Sequence, residues 1–282
     1  MKLVGLKIIR SLNFIFIFIL TIFAYNISIG HLAINLEVLL AALSISLIAG
    51  AGNTLNDFFD YKIDVKNKPD RPIPSGHISR KEALLLSILL FAFGLTISSF
   101  VNSNVFMIAL VATFGLIAYG VKGNYLAFSG NILIAFLTAL VFVYGAFVAS
   151  SVIPFSIYLI ATAAFTINVS REIIKGIEDY DADSGIKLTL PQKIGKYPAT
   201  LISMIFLIFN LIVVYGLFPI YFTGIVFLFS FPIIIFLVSK VVKILKNQNS
   251  TISKETQQIL KLMMFIEFFF VVLDKFVINV TV

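Results

Sequence analysis

Four aspartates, Asp60, Asp64, Asp179 and Asp183, form two pairs with the same i, i+4 spacing in a chain of which only 12% is charged. The first pair lies in GNTLNDFFDYKIDVKNKPDRPIPSG, from Gly52 to Gly76, directly after an uncharged run from Val38 to Ala51. The second lies in NVSREIIKGIEDYDADSGIKLTLP, from Asn168 to Pro191. At about 100° per residue, Asn53, Asn56, Asp57, Asp60 and Asp64 share one helix face. Asn168, Arg171, Glu172, Lys175 and Asp179 share another, with Asp183 one turn further on. Carboxylates at i and i+4 repel each other on a bare helix, so a cation between them is expected. Mg²⁺ suits the position, because it takes oxygen ligands, keeps several waters and typically needs one or two carboxylates plus phosphate oxygens. Two such pairs facing one cavity can hold Mg²⁺ ions on a diphosphate. Arg71, Lys122, Arg171, Lys175 and Lys187, near the same level, can meet the remaining phosphate charge.

The plainer reading, solvated helix caps and loop charges, accounts for one acidic cluster more easily than for two with matched spacing and coherent faces. DYKIDVKNKPDR is no EF-hand, since it lacks the central glycine and terminal glutamate of that loop. The chain has no cysteine, which excludes thiolate metal sites, and its two histidines, His31 and His77, are well separated, so a His-based metal cluster is not expected.

Placing a carboxylate at a bilayer centre costs about 2.5 to 3.5 kcal/mol, so the surrounding elements must hold these groups away from lipid. With 282 residues, 60% of them hydrophobic, 30 Phe and a mean hydropathy of +1.04, the chain reads as an all-α, polytopic membrane bundle. Nine spans are expected near Leu12–Ser28, Leu36–Phe59, Ala83–Val101, Val105–Tyr119, Ser129–Ala149, Pro154–Ile174, Ala199–Gly216, Ile220–Val242 and Ile259–Ile278. They make one transmembrane domain over residues 1–282, with a pseudo-repeat of spans 2–5 and 6–9. The basic, apolar N-terminus has no small-x-small cleavage pattern and reads as a retained first span.

The net charge of +7 does not point to nucleic acid, because the basic residues sit in the breaks between spans. Lys2, Lys7 and Arg10 precede span 1, and the breaks after spans 2, 4, 6 and 8 hold nearly all the rest. The opposite breaks hold no Lys or Arg. By the positive-inside rule the N-terminus and both acidic segments are cytoplasmic, in a multi-pass protein of the cell membrane. Both acidic segments then lie at helix ends, where loops can roof a polar cavity.

NDFFDYKID (Asn56–Asp64) resembles the N-D-x-x-D-x-x-x-D signature of the UbiA superfamily of intramembrane prenyltransferases. EDYDADSGIKLTLP (Glu178–Pro191) resembles its second motif, and Tyr119, Lys122 and the Gly130-Asn131 pair extend the likeness over almost the whole chain. The resemblance implies a helical bundle around a central cavity, in which an allylic diphosphate loses pyrophosphate and an acceptor captures the carbocation. It implies that Asp60, Asp64, Asp179 and Asp183 hold Mg²⁺, that Asn56 and Asp57 support the first pair, and that Arg71, Lys122 and Lys175 contact phosphates. Tyr119 either faces the carbocation or is an ordinary interfacial tyrosine. The short link NKPDRPIPSGHIS is more similar to the branch using geranylgeranyl diphosphate and geranylgeranylglyceryl phosphate than to the branch prenylating aromatic acids. Asp70 and Asp181 are the nearest unassigned carboxylates for a general base. A competing class is a transporter of a cation or anion, which would place its charges near the midplane, where helices are broken.

Overall fold

A computed structural model describes residues 7–222 and 231–278 of the chain. Among the described residues every regular element is helical. Seven helices are long and apolar enough to cross a membrane: α1 (Ser11–Ile29), α2 (Leu36–Phe59), α4 (Arg80–Ser99), α5 (Ser103–Lys122), α6 (Ala127–Ala149), α7 (Phe155–Glu178) and the stretch Lys196–Ile220. That last stretch is α10 (Lys196–Leu211), extended by a π turn over Ile212–Leu217 and a 3₁₀ turn. Short helices α3 (Tyr61–Asn67), α8 (Tyr180–Asp183) and α9 (Leu190–Ile194) lie in the polar breaks. The expected eighth span falls partly on residues 223–230, outside the described residues, and its described part is α11 (Phe231–Lys246). The ninth falls on α12 (Ser250–Leu273) and the π turn Asp274–Ile278; α12 starts well before Ile259 and is not among the seven, so the described residues do not reach the expected count of nine spans.

Local chemistry explains most of the boundaries. Asn35 and Asn102 cap α2 and α5 by accepting from the Val38 and Val105 amides, each at 2.9 Å. Ser79 and Glu82 form a reciprocal capping box, which starts α4 at Arg80 rather than Ala83. α7 runs past Ile174 to Glu178, so the second polar face belongs to a helix 24 residues long, the same length as α2. At 1.5 Å per residue each is about 36 Å long, longer than the hydrocarbon core by roughly a turn. The surplus is where the polar residues sit.

The chain divides into two units, Met1–Gly123 with Leu140–Pro154, and Asn124–Ala139 with Phe155–Val282. In the first, α2 packs against α4 through small residues: Ser44 Oγ donates to the Gly94 carbonyl at 2.7 Å and Ser87 Oγ to the Ala51 carbonyl at 3.0 Å. A Cβ at Gly94 would stand 2.6 Å from Ile48 Cγ1 and 3.0 Å from the Ser44 carbonyl oxygen. Since backbone cannot step aside as a side chain can, Gly94→Leu is expected to lower stability by about 1 to 3 kcal/mol. A drop in detergent melting temperature relative to wild type checks this.

In the second unit, Ile167, Ile173, Ile174 and Ile177 of α7 form one core with Leu207, Leu237, Val241 and Leu260. Polar ties cross that core. Asn210 Nδ2 donates to the Ala163 carbonyl at 2.9 Å, and Ser170 and Ser203 hydroxyls meet at 2.7 Å.

Candidate active site

The first acidic segment is built where α2 gives way to α3. Asp60, with φ −78° and ψ 1°, ends one helix and begins the next. The turn survives the change of axis, because the Asp60 amide donates to Asn56 O at 2.8 Å and the Asp64 amide to Asp60 O at 2.9 Å. Asp57, Asp60 and Asp64 are all buried. Asn56 Nδ2 donates to Asp60 Oδ2 at 3.0 Å, and Asn53 Nδ2 reaches the Ile9 carbonyl at 3.4 Å. Arg71 returns from the following loop and places Nη1 3.1 Å from Asp57 Oδ1 and 2.6 Å from Asp64 Oδ2. Burial pushes the Asp64 carboxyl above the usual carboxylate range, with the Arg71 guanidinium pulling against it. Arg80 covers the end of α2, its guanidinium 4.7 Å from the Phe58 ring centre and 3.3 Å from the Phe58 carbonyl.

The second segment repeats this backbone. Asp179, with φ −84° and ψ 6°, joins α7 to α8. Its amide donates to Lys175 O at 2.9 Å, and the Asp183 amide donates to Asp179 O at 2.8 Å. In each case a long helix ends at an aspartate, one turn continues, and the next aspartate is buried. The loop after Asp183 is pinned to α7: Thr189 caps α9, Gln192 Nε2 donates to the Tyr180 carbonyl, and Pro191 packs against Gly176. Gly176 matters here, since a Cβ would lie 3.3 Å from Pro191 Cδ.

The cations of the two segments are arranged differently. Arg171 Nη1 lies 2.6 Å from Glu172 Oε1, and Lys175 Nζ 3.7 Å from Glu172 Oε2, so two residues expected on phosphates share one carboxylate. The Arg171 Nε is buried without a partner. Asn168 donates to Thr138 Oγ1 at 2.9 Å, deeper along α7. Lys187 is half-buried, its amide donating to Asp183 O at 2.9 Å. On α5, Gly120 packs against Leu55 and Phe59, which sets the last turn of that helix, with half-buried Tyr119 and exposed Lys122, beside the end of α2. Asp70 is exposed, and Asp181 is exposed with Lys196 Nζ 3.8 Å away.

Sequence reading missed two features. Arg10 Nη2 lies 2.9 Å from Asp57 Oδ1, and Glu172 acts as the anchor of Arg171 and Lys175. Arg10 carried only the signal of a positive charge before an apolar run.

The donor set suits a hard cation: the buried groups at both turns are carboxylate oxygens, with amide and guanidinium groups bonded to them. Among the described residues no three His, Cys, Asp or Glu side chains converge into a closed cage. Carboxylate oxygens are ligands that Mg²⁺ accepts, with water and phosphate oxygens completing its shell.

Seven long apolar helices among the described residues, two of which end in acidic turns, mark a multi-pass membrane protein. A profile of the UbiA prenyltransferase family matches residues 14–269, and the chain belongs to that family. It is 36% identical over 231 residues to digeranylgeranylglyceryl phosphate synthase of Thermococcus kodakarensis, covering 81% of this chain and 82% of that protein. It superposes with a TM-score of 0.78 and 29% identity on a solved structure concerned with digeranylgeranylglyceryl phosphate synthase in membranes, covering 96% of this chain and 97% of the other. A UbiA homologue from Archaeoglobus fulgidus bound to GPP and Mg²⁺ shares the fold, with a TM-score of 0.63 at 18% identity over 94% and 98% of the two chains. Family membership makes the chain a prenyltransferase and sets the transporter reading aside.

Proposed function

We propose that the chain transfers a geranylgeranyl group from geranylgeranyl diphosphate to the hydroxyl of geranylgeranylglyceryl phosphate, giving an ether lipid precursor and pyrophosphate. The observation that carries the reading is the pair of acidic turns with matching backbone and buried carboxylates, in a chain 36% identical to a digeranylgeranylglyceryl phosphate synthase. The bond from the allylic carbon to the diphosphate oxygen breaks with its electron pair leaving on pyrophosphate. The acceptor oxygen captures the carbocation and gives up its proton.

Held by Asp60, Asp64, Asp179 and Asp183, Mg²⁺ supplies neutralisation of the charge that grows on the leaving group. Asn56 keeps Asp60 oriented, and Asp57 holds Arg71 in place. Lys122, Lys175 and Arg71 meet phosphate oxygens, with Asn53, Arg171 and Lys187 as further polar contacts. Tyr119, half-buried on the last turn of α5, is the aromatic residue assigned to the carbocation. Apolar helix surfaces exclude water, which would otherwise consume the carbocation.

Mass spectrometry of products formed from geranylgeranyl diphosphate and a panel of acceptors tests the assignment. Ether product is expected with geranylgeranylglyceryl phosphate, lost with EDTA and restored with Mg²⁺. Transfer to 4-hydroxybenzoate alone would move the chain to the aromatic branch.

The reading also places both acidic turns on the cytoplasmic side of the cell membrane. Ser75, Ser184 and Ser103 are all exposed, and the chain has no native cysteine. On intact cells an impermeant thiol reagent is expected to label Ser103→Cys and to spare Ser75→Cys and Ser184→Cys. The opposite pattern would invert the topology.

A further inference from the structure

Arg10 adopts a left-handed backbone, φ 55° and ψ 69°, just before α1. For a residue with a Cβ this conformation is unfavourable, and it persists only where the surroundings impose it. Here they do so through the two residues before it. Ile8 is fully buried with Ile73 and Ala83, Ile9 packs on Gly50, and the Ile9 carbonyl accepts from Asn53. The segment is strapped at once to α2, to α4 and to the loop that carries Arg71. Its product is one contact, Arg10 Nη2 to Asp57 Oδ1 at 2.9 Å.

That same oxygen also accepts from Arg71 Nη1 at 3.1 Å. Arg71 is itself shared with Asp64, 2.6 Å from its Oδ2, so Asp57 holds two guanidiniums side by side on one oxygen. Two guanidiniums on one carboxylate oxygen also repel each other, a cost that an anion lying across both would relieve. Both remain partly open, with side-chain exposures of 35% for Arg10 and 24% for Arg71, while Asp57 is at 5%. Asp57 takes one N–H of Arg10, and the guanidinium carries several more that can grip phosphate oxygens in pairs.

We propose that Arg10 is a substrate-binding residue that, with Arg71, grips a substrate phosphate over the Asp57 anchor. This rests on the prenyl transfer proposed above. With the diphosphate met by Mg²⁺, Lys122 and Lys175, the phosphomonoester of the acceptor is the group assigned to this pair.

The test compares wild type with Arg10→Ala and Arg10→Lys, using the phosphorylated acceptor and the same acceptor as its free alcohol. Arg10→Ala is expected to lower kcat/KM for the phosphorylated acceptor about tenfold or more, chiefly through KM, with little change for the alcohol and partial recovery in Arg10→Lys. If the donor KM rises instead, the phosphate gripped is that of the diphosphate and the role of Arg10 stands. An equal loss with both acceptors and unchanged KM values would overturn it, leaving Arg10 a brace for Asp57. If wild type uses neither acceptor, the acceptor assignment fails by itself. Calorimetric titration of the purified protein with inorganic pyrophosphate then decides Arg10: weaker binding in Arg10→Ala supports the site, and unchanged binding overturns it.

Discussion

Replacing any one of Asp60, Asp64, Asp179 or Asp183 by asparagine is expected to lower turnover about a hundredfold or more while the protein still inserts and melts close to wild type. On the proposed mechanism each substitution removes a charge aimed at Mg²⁺, and stabilising groups of this kind are typically worth about 10² to 10³ in rate. The fold should survive because the structural tasks of these residues lie elsewhere. Asp60 and Asp179 continue their turns through backbone carbonyls. An asparagine at position 60 can still accept from Asn56, and Arg71 keeps Asp57 when Asp64 loses its charge. Initial rates at saturating Mg²⁺, measured beside detergent melting curves, separate the two effects. Near-normal turnover in any two of the four variants would defeat the shared Mg²⁺ role.

The acidic pairs were legible because helical period is a local property. Spacing alone put Asn56, Asp60 and Asp64 on one face, and a switch of axis at Asp60 left that turn intact. The sixth span was placed to end at Ile174, while the shared face of Asn168 to Asp179 required the helix to run on, and α7 does so to Glu178. What spacing could not show is which cation takes which carboxylate. Arg171 and Lys175 were read as facing phosphate, yet one and three residues of separation suffice for both to settle on Glu172. Arg10 was invisible for a stronger reason: its bond to Asp57 spans 47 residues. A basic residue before an apolar span is already explained by membrane topology, so nothing in the local pattern marks it.

Arg71→Ala is the second substitution expected to have a large effect, because it strips the shared partner from two buried carboxylates at once. Asp57 retains Arg10, but Asp64 loses the guanidinium 2.6 Å from its Oδ2. Removing one partner of a buried pair typically costs about 3 to 5 kcal/mol, and partial exposure of Arg71 places the effect toward the lower end. The KM for the phosphorylated acceptor should rise about tenfold or more, beyond any change in donor KM, since a charge-assisted contact is lost. Arg71→Lys should recover part of it, keeping the charge without the forked geometry. The pH profile supplies an independent sign. Burial already raises the Asp64 carboxyl and Arg71 opposes that rise, so without Arg71 the group holds its proton to higher pH. At Mg²⁺ concentrations too low to saturate the site, the acid limb of kcat/KM should therefore move upward in Arg71→Ala. Unchanged acceptor KM together with a superimposable pH profile would show that Arg71 neither grips phosphate nor sets the ionisation of Asp64.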